Sequence, residues 1–301
     1  MSMNHRQTQY WRWWIWRVLL HSGFAGLLSD RAFIKLQYEL IVWKRLNLEQ
    51  PKDFNQKLQW LKLNYRNPLL VQCTDKYAVR DFVKERVGEQ YLNEILGIYS
   101  RVDEIDFDRL PDAFVLKATH GSGWNIICPN KKLLNVHLAR KRMGKWLASD
   151  FSKNGREWQY SEIPHRIICE KYLEDLSGPE LRDYKIFCFD GVPKLIWVDF
   201  KVNGQHHRNF YNTDWCFQPD KKILWPNASA ESVQKPANLD EMLWVAEELS
   251  KDFPQVRVDL YNVNNRIVFG ELTFFSACGL ADFCSESFAN ELGSYIKLPS
   301  T

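Results

Sequence analysis

The chain has 301 residues, 45% hydrophobic, 26% charged and 14% aromatic, which excludes a disordered tail and leaves room for a large core or two lobes. A formal net charge of +3 is too small for a strongly basic nucleic-acid binder. The charge is also uneven: residues 1–52 carry eight Lys or Arg against three Asp or Glu, so no dispersed nucleic-acid-binding face is expected. Seven cysteines, an odd number with no C-x-x-C, read as free thiols in a reducing compartment, which points to the cytoplasm.

Residues 10–21 hold four of the thirteen tryptophans, with Arg12 and Arg17 between them. Arg17 and His21 interrupt the apolar run, so neither a secretory signal nor a spanning helix is expected. Two readings stand: peripheral contact with a membrane through residues 10–28, or a helix that packs its tryptophans on the main domain. Phe54, Leu58, Leu61 and Tyr65 recur at helical spacing, and Asn67-Pro68 stops that helix. Asp75 is the expected N-cap of a second helix with Val79, Phe82, Val83 and Val87 inward and Gly88 at its end.

After Pro111 the pattern changes. Residues 113–117 and 124–128 read as strands around a glycine loop, a helix follows from Asn135, and residues 166–170 form the next strand. Residues 184–189 and 194–199 flank Asp190-Gly191, a hairpin signal. Residues 203–237 are polar, poor in periodicity and expected to be loops lining a substrate site. Asn238 to Glu241 resembles a capping box opening a helix with Met242, Ala246 and Leu249 inward. Strands at 256–262 and 266–273 complete an α+β chain.

Several groups of residues suggest chemistry. Lys117 ends a strand and runs into Gly121-Ser122-Gly123, which suits anion binding by bare N–H groups beside an ammonium. The common G-x-x-x-x-G-K-[ST] and G-x-G-x-x-G fingerprints are absent. Glu170 to Asp175 follows a strand and offers backbone groups to a purine edge. Arg257 and Asp259 share a strand face with Val256, Val258 and Leu260 opposite, and Glu271 lies on the next strand. Two carboxylates on one face either hold a cation such as Mg²⁺ or pair with Arg257. A two-residue turn at Asn264-Asn265 sets 259 and 271 on opposite faces unless a bulge intervenes. Asp183, Lys185 and Arg208 have no fixed reading. His206 and His207 point apart on an extended backbone, and Asp106-Phe-Asp108, an Asp-x-Asp of the glycosyltransferase kind, sits in an acidic turn.

Taken in order, these pieces resemble the TupA-like ATP-grasp family of bacterial polysaccharide gene clusters. The marks are Phe54-Asn-Gln-Lys-Leu-Gln-Trp-Leu61, Asp75-Lys-Tyr77, Phe114-Val-Leu-Lys-Ala-Thr-His-Gly-Ser-Gly123, Gly155-Arg-Glu-Trp-Gln-Tyr160, Asp183-Tyr-Lys-Ile-Phe-Cys-Phe-Asp-Gly191, Arg208-Asn-Phe-Tyr211, Val256-Arg-Val-Asp259 and Phe269-Gly-Glu-Leu-Thr273. The resemblance implies two α+β lobes around a nucleotide cleft, preceded by a helical region, with divisions at 1–28, 29–110, 111–172 and 173–301. It implies ATP and Mg²⁺ as cofactors. Lys76 and Lys117 would contact the phosphates beneath the Gly121-Ser122-Gly123 loop. Glu170, Lys171, Tyr172 and Leu173 would form the adenine hinge, with Asp183 and Lys185 near the nucleotide. Asp259, Glu271 and Thr273 would hold the metal, while Arg257 and Arg208 would act in catalysis. Thr273 stands where many ATP-grasp enzymes have Asn, and residues 274–279 lack the expected Pro-Gly-Ser.

The implied activity is ATP-dependent carboxylate–amine ligation through an acylphosphate. Its acceptor would be a carboxylated saccharide or amino acid of a surface-polysaccharide pathway, with lipid linkage and an inner-face membrane position as the accompanying expectation. A kinase, a glycosyltransferase and a non-enzymatic scaffold are the alternatives.

Overall fold

A computed structural model describes residues 5–21, 23–175 and 181–299. Two units divide the chain: the first comprises Met1–Arg66, Ser152–Trp158 and Phe275–Thr301, the second Asn67–Phe151 and Gln159–Phe274.

The first unit is helical. It contains α1 (His5–His21), α2 (Asp30–Ile41) and α3 (Phe54–Asn64). Trp16, Phe33, Ile34, Tyr38 and Ile41 form its core, so α1 packs Trp16 within its own unit while Trp11, Trp13 and Trp14 stay exposed. Asp53 caps α3 by accepting from the Gln56 amide at 2.8 Å. Asn55, Gln59 and Lys62 share one face of α3, yet all three are buried. Their side chains donate to the carbonyls of Ala281, of Cys278 and Gly279, and of Gly155 and Cys278 respectively. The polar half of the 54–61 motif therefore holds chain segments in place, which periodicity alone does not reveal.

The second unit opens with α4 (Leu69–Thr74) and α5 (Val79–Arg86). α3 already ends at Asn64 with Tyr65 as its C-cap, ahead of Asn67-Pro68, and Asn67 accepts from the Leu69 amide that starts the next helix. Asp75 is not the N-cap of α5, which starts after Ala78. Its carboxylate is instead buried against Arg166 at 2.7 Å and accepts from the Tyr77 amide, because a buried charge needs a partner more than a helix end needs a cap.

Two antiparallel sheets follow. The first has the order β1-β4-β2-β3, built from β1 (Ile95–Tyr99), β2 (Phe114–Ala118), β3 (Asn125–Cys128) and β4 (Ile167–Lys171). Phe114, Leu116 and Ala118 alternate inward against Ala139, Met143 and Trp146 of α6 (Val136–Leu147), which Asn135 caps. The second sheet has the order β7-β6-β5-β8-β9, from β5 (Asp183–Phe189), β6 (Val192–Val202), β7 (Gln205–Tyr211), β8 (Val256–Val263) and β9 (Arg266–Thr273). Its apolar face is covered by α7 (Leu239–Ser250), whose Met242, Val245, Ala246 and Leu249 are buried. A last helix, α8 (Glu286–Tyr295), returns to the first unit.

The expected loop at 203–237 is in part β7. That strand has little apolar alternation because His206 and Arg208 reach Asp199 on one face, while His207 and Asn209 occupy the other. Asn238 makes no capping bond; it donates to the Asn265 carbonyl and accepts from Asn262.

The β8–β9 hairpin turns at Asn264-Asn265, and both residues adopt positive φ, as the tight turn requires. Val263 pairs with Arg266 and Leu260 with Phe269 in regular register. Beyond that the register slips by one residue, so that Asp259 faces Glu271 and Arg257 faces Thr273. Gly270 is the extra residue of this bulge, and a Cβ there would stand 2.9 Å from the Asp259 carbonyl oxygen. Gly270→Ala should therefore destabilise the fold by about 1–3 kcal/mol through overpacking. Urea unfolding checks this; an unchanged midpoint would mean that the bulge tolerates a side chain.

Candidate active site

Every strand of the second sheet contributes to one polar face. β7 supplies Arg208; β6 supplies Trp197 and Asp199; β5 supplies Asp183 and Lys185; β8 supplies Arg257 and Asp259; β9 supplies Glu271 and Thr273. Arg257 and Asp259 form a bidentate pair, Nε to Oδ1 and Nη2 to Oδ2, both at 2.6 Å. Arg257 Nη2 also donates to the Thr273 hydroxyl at 3.0 Å, and that hydroxyl donates to Glu271 Oε1 at 2.9 Å. The ion pair that competed with a metal reading is thus present, together with a second carboxylate beside it.

Burial dominates the protonation of this face. It pushes the Asp259 carboxyl up to about 7 and raises Asp183 as well, despite Arg257 and Lys185 nearby. Burial would also raise Glu271, but Lys76, then Arg257, hold it down to about 2. Lys185 is raised, its burial outweighed by Asp259 and Asp183. Asp183 Oδ1 is buried without a hydrogen-bond partner. Asp183 Oδ1 is thus an open acceptor on a face otherwise paired by Lys76, Lys185, Arg208 and Arg257, which suits an added hard cation.

No group of three or more His, Cys, Asp or Glu side chains gathers as a metal cage among the described residues. That is compatible with Mg²⁺, which is commonly held by one or two carboxylates together with substrate phosphates. Asp259 and Glu271 are the pair that would hold it.

Lys76, Lys117, Ser122, Gly123, Asp183, Lys185, Arg257, Asp259 and Glu271 line one cavity of about 200 Å³. The sequence separates these residues by nearly two hundred positions. Lys76 lies 3.6 Å from Glu271 and donates to the Gly121 carbonyl at 2.9 Å. Lys117 pairs with Glu170 at 2.7 Å. Lys171, Tyr172 and Leu173 lie apart from this cavity, in an open pocket of about 740 Å³ with Arg80 and Arg266. Thr273 bridges Arg257 and Glu271 instead of lining the cavity.

Arg208 is placed differently from Arg257. It makes a two-point contact with Asp199 at 2.7 and 3.1 Å, donates to the Ile223 carbonyl and lies 3.8 Å from the Trp197 ring centre. Arg257 lies 5.1 Å from the centre of the same ring. Trp197 and Asp199 therefore belong to the site, and sequence reasoning missed both. Their signal, an alternating Trp-x-Asp on β6, is legible only once the strand register is known. His206 contacts Asp199 at 3.0 Å, whereas His207 stacks near Phe200. Asp106 accepts from the Asp108 amide and pairs with Arg109, which makes the Asp-x-Asp a local turn.

His120, directly before the glycine loop, is a second omission. It is fully buried, stacked on His165 at 3.8 Å, and its Nε2–H donates to the Trp146 carbonyl. His165 donates to the next carbonyl, Leu147. Burial lowers the His120 pKa from 6.5, assisted by His165 and Lys76 and opposed by the Trp146 carbonyl and Asp75. A depressed folded-state value means that this contribution is present above pH 6.5 and lost as pH falls through the folded pKa. Relative to His120→Gln, the wild type should therefore lose melting temperature on acidification below about pH 6.5. A profile unchanged by the substitution would show that His120 does not titrate in this range.

The family described as TupA-like ATPgrasp matches residues 56–297. No curated protein matches the sequence. Among solved structures, D-alanine–D-alanine ligase from Bacillus anthracis is 14% identical, with a TM-score of 0.40 over 67% of this chain and 57% of that one. The Helicobacter pylori D-alanine–D-alanine ligase is also 14% identical, with a TM-score of 0.44 over 83% of this chain and 70% of that one. The D-cycloserine synthetase DcsG is 17% identical, with a TM-score of 0.40 over 76% and 70%. The chain spans little more than half the length of the Bacillus anthracis enzyme.

Proposed function

The chain belongs to the TupA-like ATP-grasp family, whose enzymes use ATP with Mg²⁺, and on that premise we propose that it joins a carboxylate to an amine. The observation that carries this reading is the meeting of two lysines, a glycine loop and a facing carboxylate pair around one cavity. Phosphoryl transfer is largely positioning and charge neutralisation, and this arrangement supplies both.

In the proposed reaction a carboxylate oxygen of the acceptor attacks the γ-phosphorus of ATP. The bond to the bridging oxygen breaks and ADP leaves. The amine nitrogen then attacks the acyl carbon, inorganic phosphate departs, and the nitrogen loses a proton to give the amide. Lys76 and Lys117 bind phosphate oxygens under Gly121-Ser122-Gly123, and the hinge at Glu170–Leu173 takes the base. Mg²⁺, when bound, supplies charge neutralisation at the phosphates. Asp259 and Glu271 would hold it, with Thr273 orienting Glu271. Arg257 faces the charge that develops on the transferred group. Arg208 acts as a positioning residue through Asp199 and Trp197.

The acceptor in this reading is a carboxylated saccharide or amino acid of a bacterial surface-polysaccharide pathway. A lipid-linked acceptor, met at the inner face of the cytoplasmic membrane, belongs to the same reading. Hydroxylamine tests the chemistry, because an acylphosphate yields a hydroxamate and a phosphorylated hydroxyl does not. ADP release should require a carboxylated acceptor, and hydroxylamine should trap that acceptor as a hydroxamate detectable by mass spectrometry. Stable phosphate on an acceptor hydroxyl would make the enzyme a kinase instead. ATP-independent release of a nucleoside diphosphate from a sugar nucleotide would make it a glycosyltransferase.

A further inference from the structure

Helix α1 has two apolar faces, and the first unit uses one. Trp16 is 1% exposed and meets Phe33 edge-on at 4.9 Å, while Leu19 and Leu20 pack against the same core. Trp11, Trp14, Ile15 and Val18 follow the i, i+3, i+4, i+7 spacing of a single helical stripe. They are 52, 51, 42 and 48% exposed, although their composition is that of a core. Docking α1 on its own unit needs only the Trp16 face, so the outer stripe has no role in the fold.

We propose that this stripe is a docking surface for the interfacial region of an anionic lipid bilayer. The charge is complementary: α1 contains Arg6, Arg12 and Arg17 and no acidic residue, and residues 1–52 carry the basic excess of the whole chain. Arg12 stacks over Trp43 at 4.4 Å, which extends the Trp/Arg surface to a second, exposed indole. Indoles favour the headgroup level, where the ring leaves water and the N–H keeps a polar partner. A convex stripe one helix wide also suits a fluid surface, which needs no shape complement, better than a protein partner, which does. Among the described residues no helix is long and apolar enough to cross a membrane, so the contact is peripheral in kind.

This surface deepens the inner-face reading of the acceptor but rests on α1 alone, and the two can fail separately. The test is flotation of the full chain with phosphatidylcholine vesicles, with and without phosphatidylglycerol. The full chain should float with the anionic vesicles about tenfold more than with the neutral ones, and salt should release it. A variant carrying Trp11→Gln, Trp14→Gln, Ile15→Gln and Val18→Gln should stay unbound while keeping its melting temperature. It should also still give a trapped hydroxamate on a soluble acceptor. Equal flotation of wild type and variant would overturn the proposal, as would a wild type that floats with neither vesicle. Sedimentation showing a lipid-free wild-type dimer and a monomeric variant would assign the stripe to self-association instead. Loss of the hydroxamate in both proteins, with flotation intact, would contradict the ligase reading and leave the docking surface standing.

Discussion

The one-residue slip at Gly270 is the constraint on which the active-site face depends. A side chain in a strand changes face with every residue, so a regular hairpin closed at Asn264-Asn265 would turn Glu271 and Thr273 away from Asp259. The bulge reverses that parity after Phe269 and sets Asp259 opposite Glu271. Only a residue without a Cβ fits comfortably between the Asp259 carbonyl and the Tyr261 ring. The same slip places the Thr273 hydroxyl between Arg257 and Glu271, so one inserted residue positions three side chains.

Around that pair the site is built by competition between burial and charge. Four carboxylates, Asp183, Asp199, Asp259 and Glu271, alternate with Lys185, Arg208 and Arg257 across the sheet. Lys76 reaches the face from the chain just before α5. The Asp75–Arg166 pair and the His120–His165 stack anchor the segments that carry Lys76 and the glycine loop, so both start from fixed backbone. Removing either member of the buried Arg257–Asp259 pair would strand a charge at a cost of about 3–5 kcal/mol. The pair is therefore structural as well as chemical, and a deletion there confounds stability with binding.

Much of this was legible in the sequence. The apolar runs of β2, β3 and β5, the Asp190-Gly191 turn and the helix start at Asn135 are local signals with local causes, and ordered motifs pointed to the family. Of the residues the resemblance named, Lys76, Lys117, Asp183, Lys185, Arg257, Asp259 and Glu271 line the cavity, whereas Lys171, Tyr172, Leu173, Arg208 and Thr273 do not. Four things were hidden. β7 opens on Gln205, His206, His207 and Arg208, and the Asp199 that meets His206 and Arg208 is found only through the pairing with β6. Asp75 looked like a cap because Arg166, ninety-one residues away, is invisible to a local reading. Trp197 and Asp199 acquire meaning only through the register with Lys185 and Arg208. The bulge at Gly270 could be stated as a requirement for a shared face, since parity follows from counting, but not located.

Glu271 offers the cleanest access to the central claim, that Asp259 and Glu271 together hold the Mg²⁺ that accompanies ATP. Its side chain is 35% exposed, so Glu271→Gln preserves shape and spares the buried Arg257–Asp259 pair. The measurement is calorimetric titration of ATP into wild type and Glu271→Gln, each with and without Mg²⁺. The account predicts that Mg²⁺ tightens ATP binding in the wild type and that this gain is lost in Glu271→Gln, both proteins being folded at the titration temperature. An undiminished Mg²⁺ gain in Glu271→Gln would contradict it.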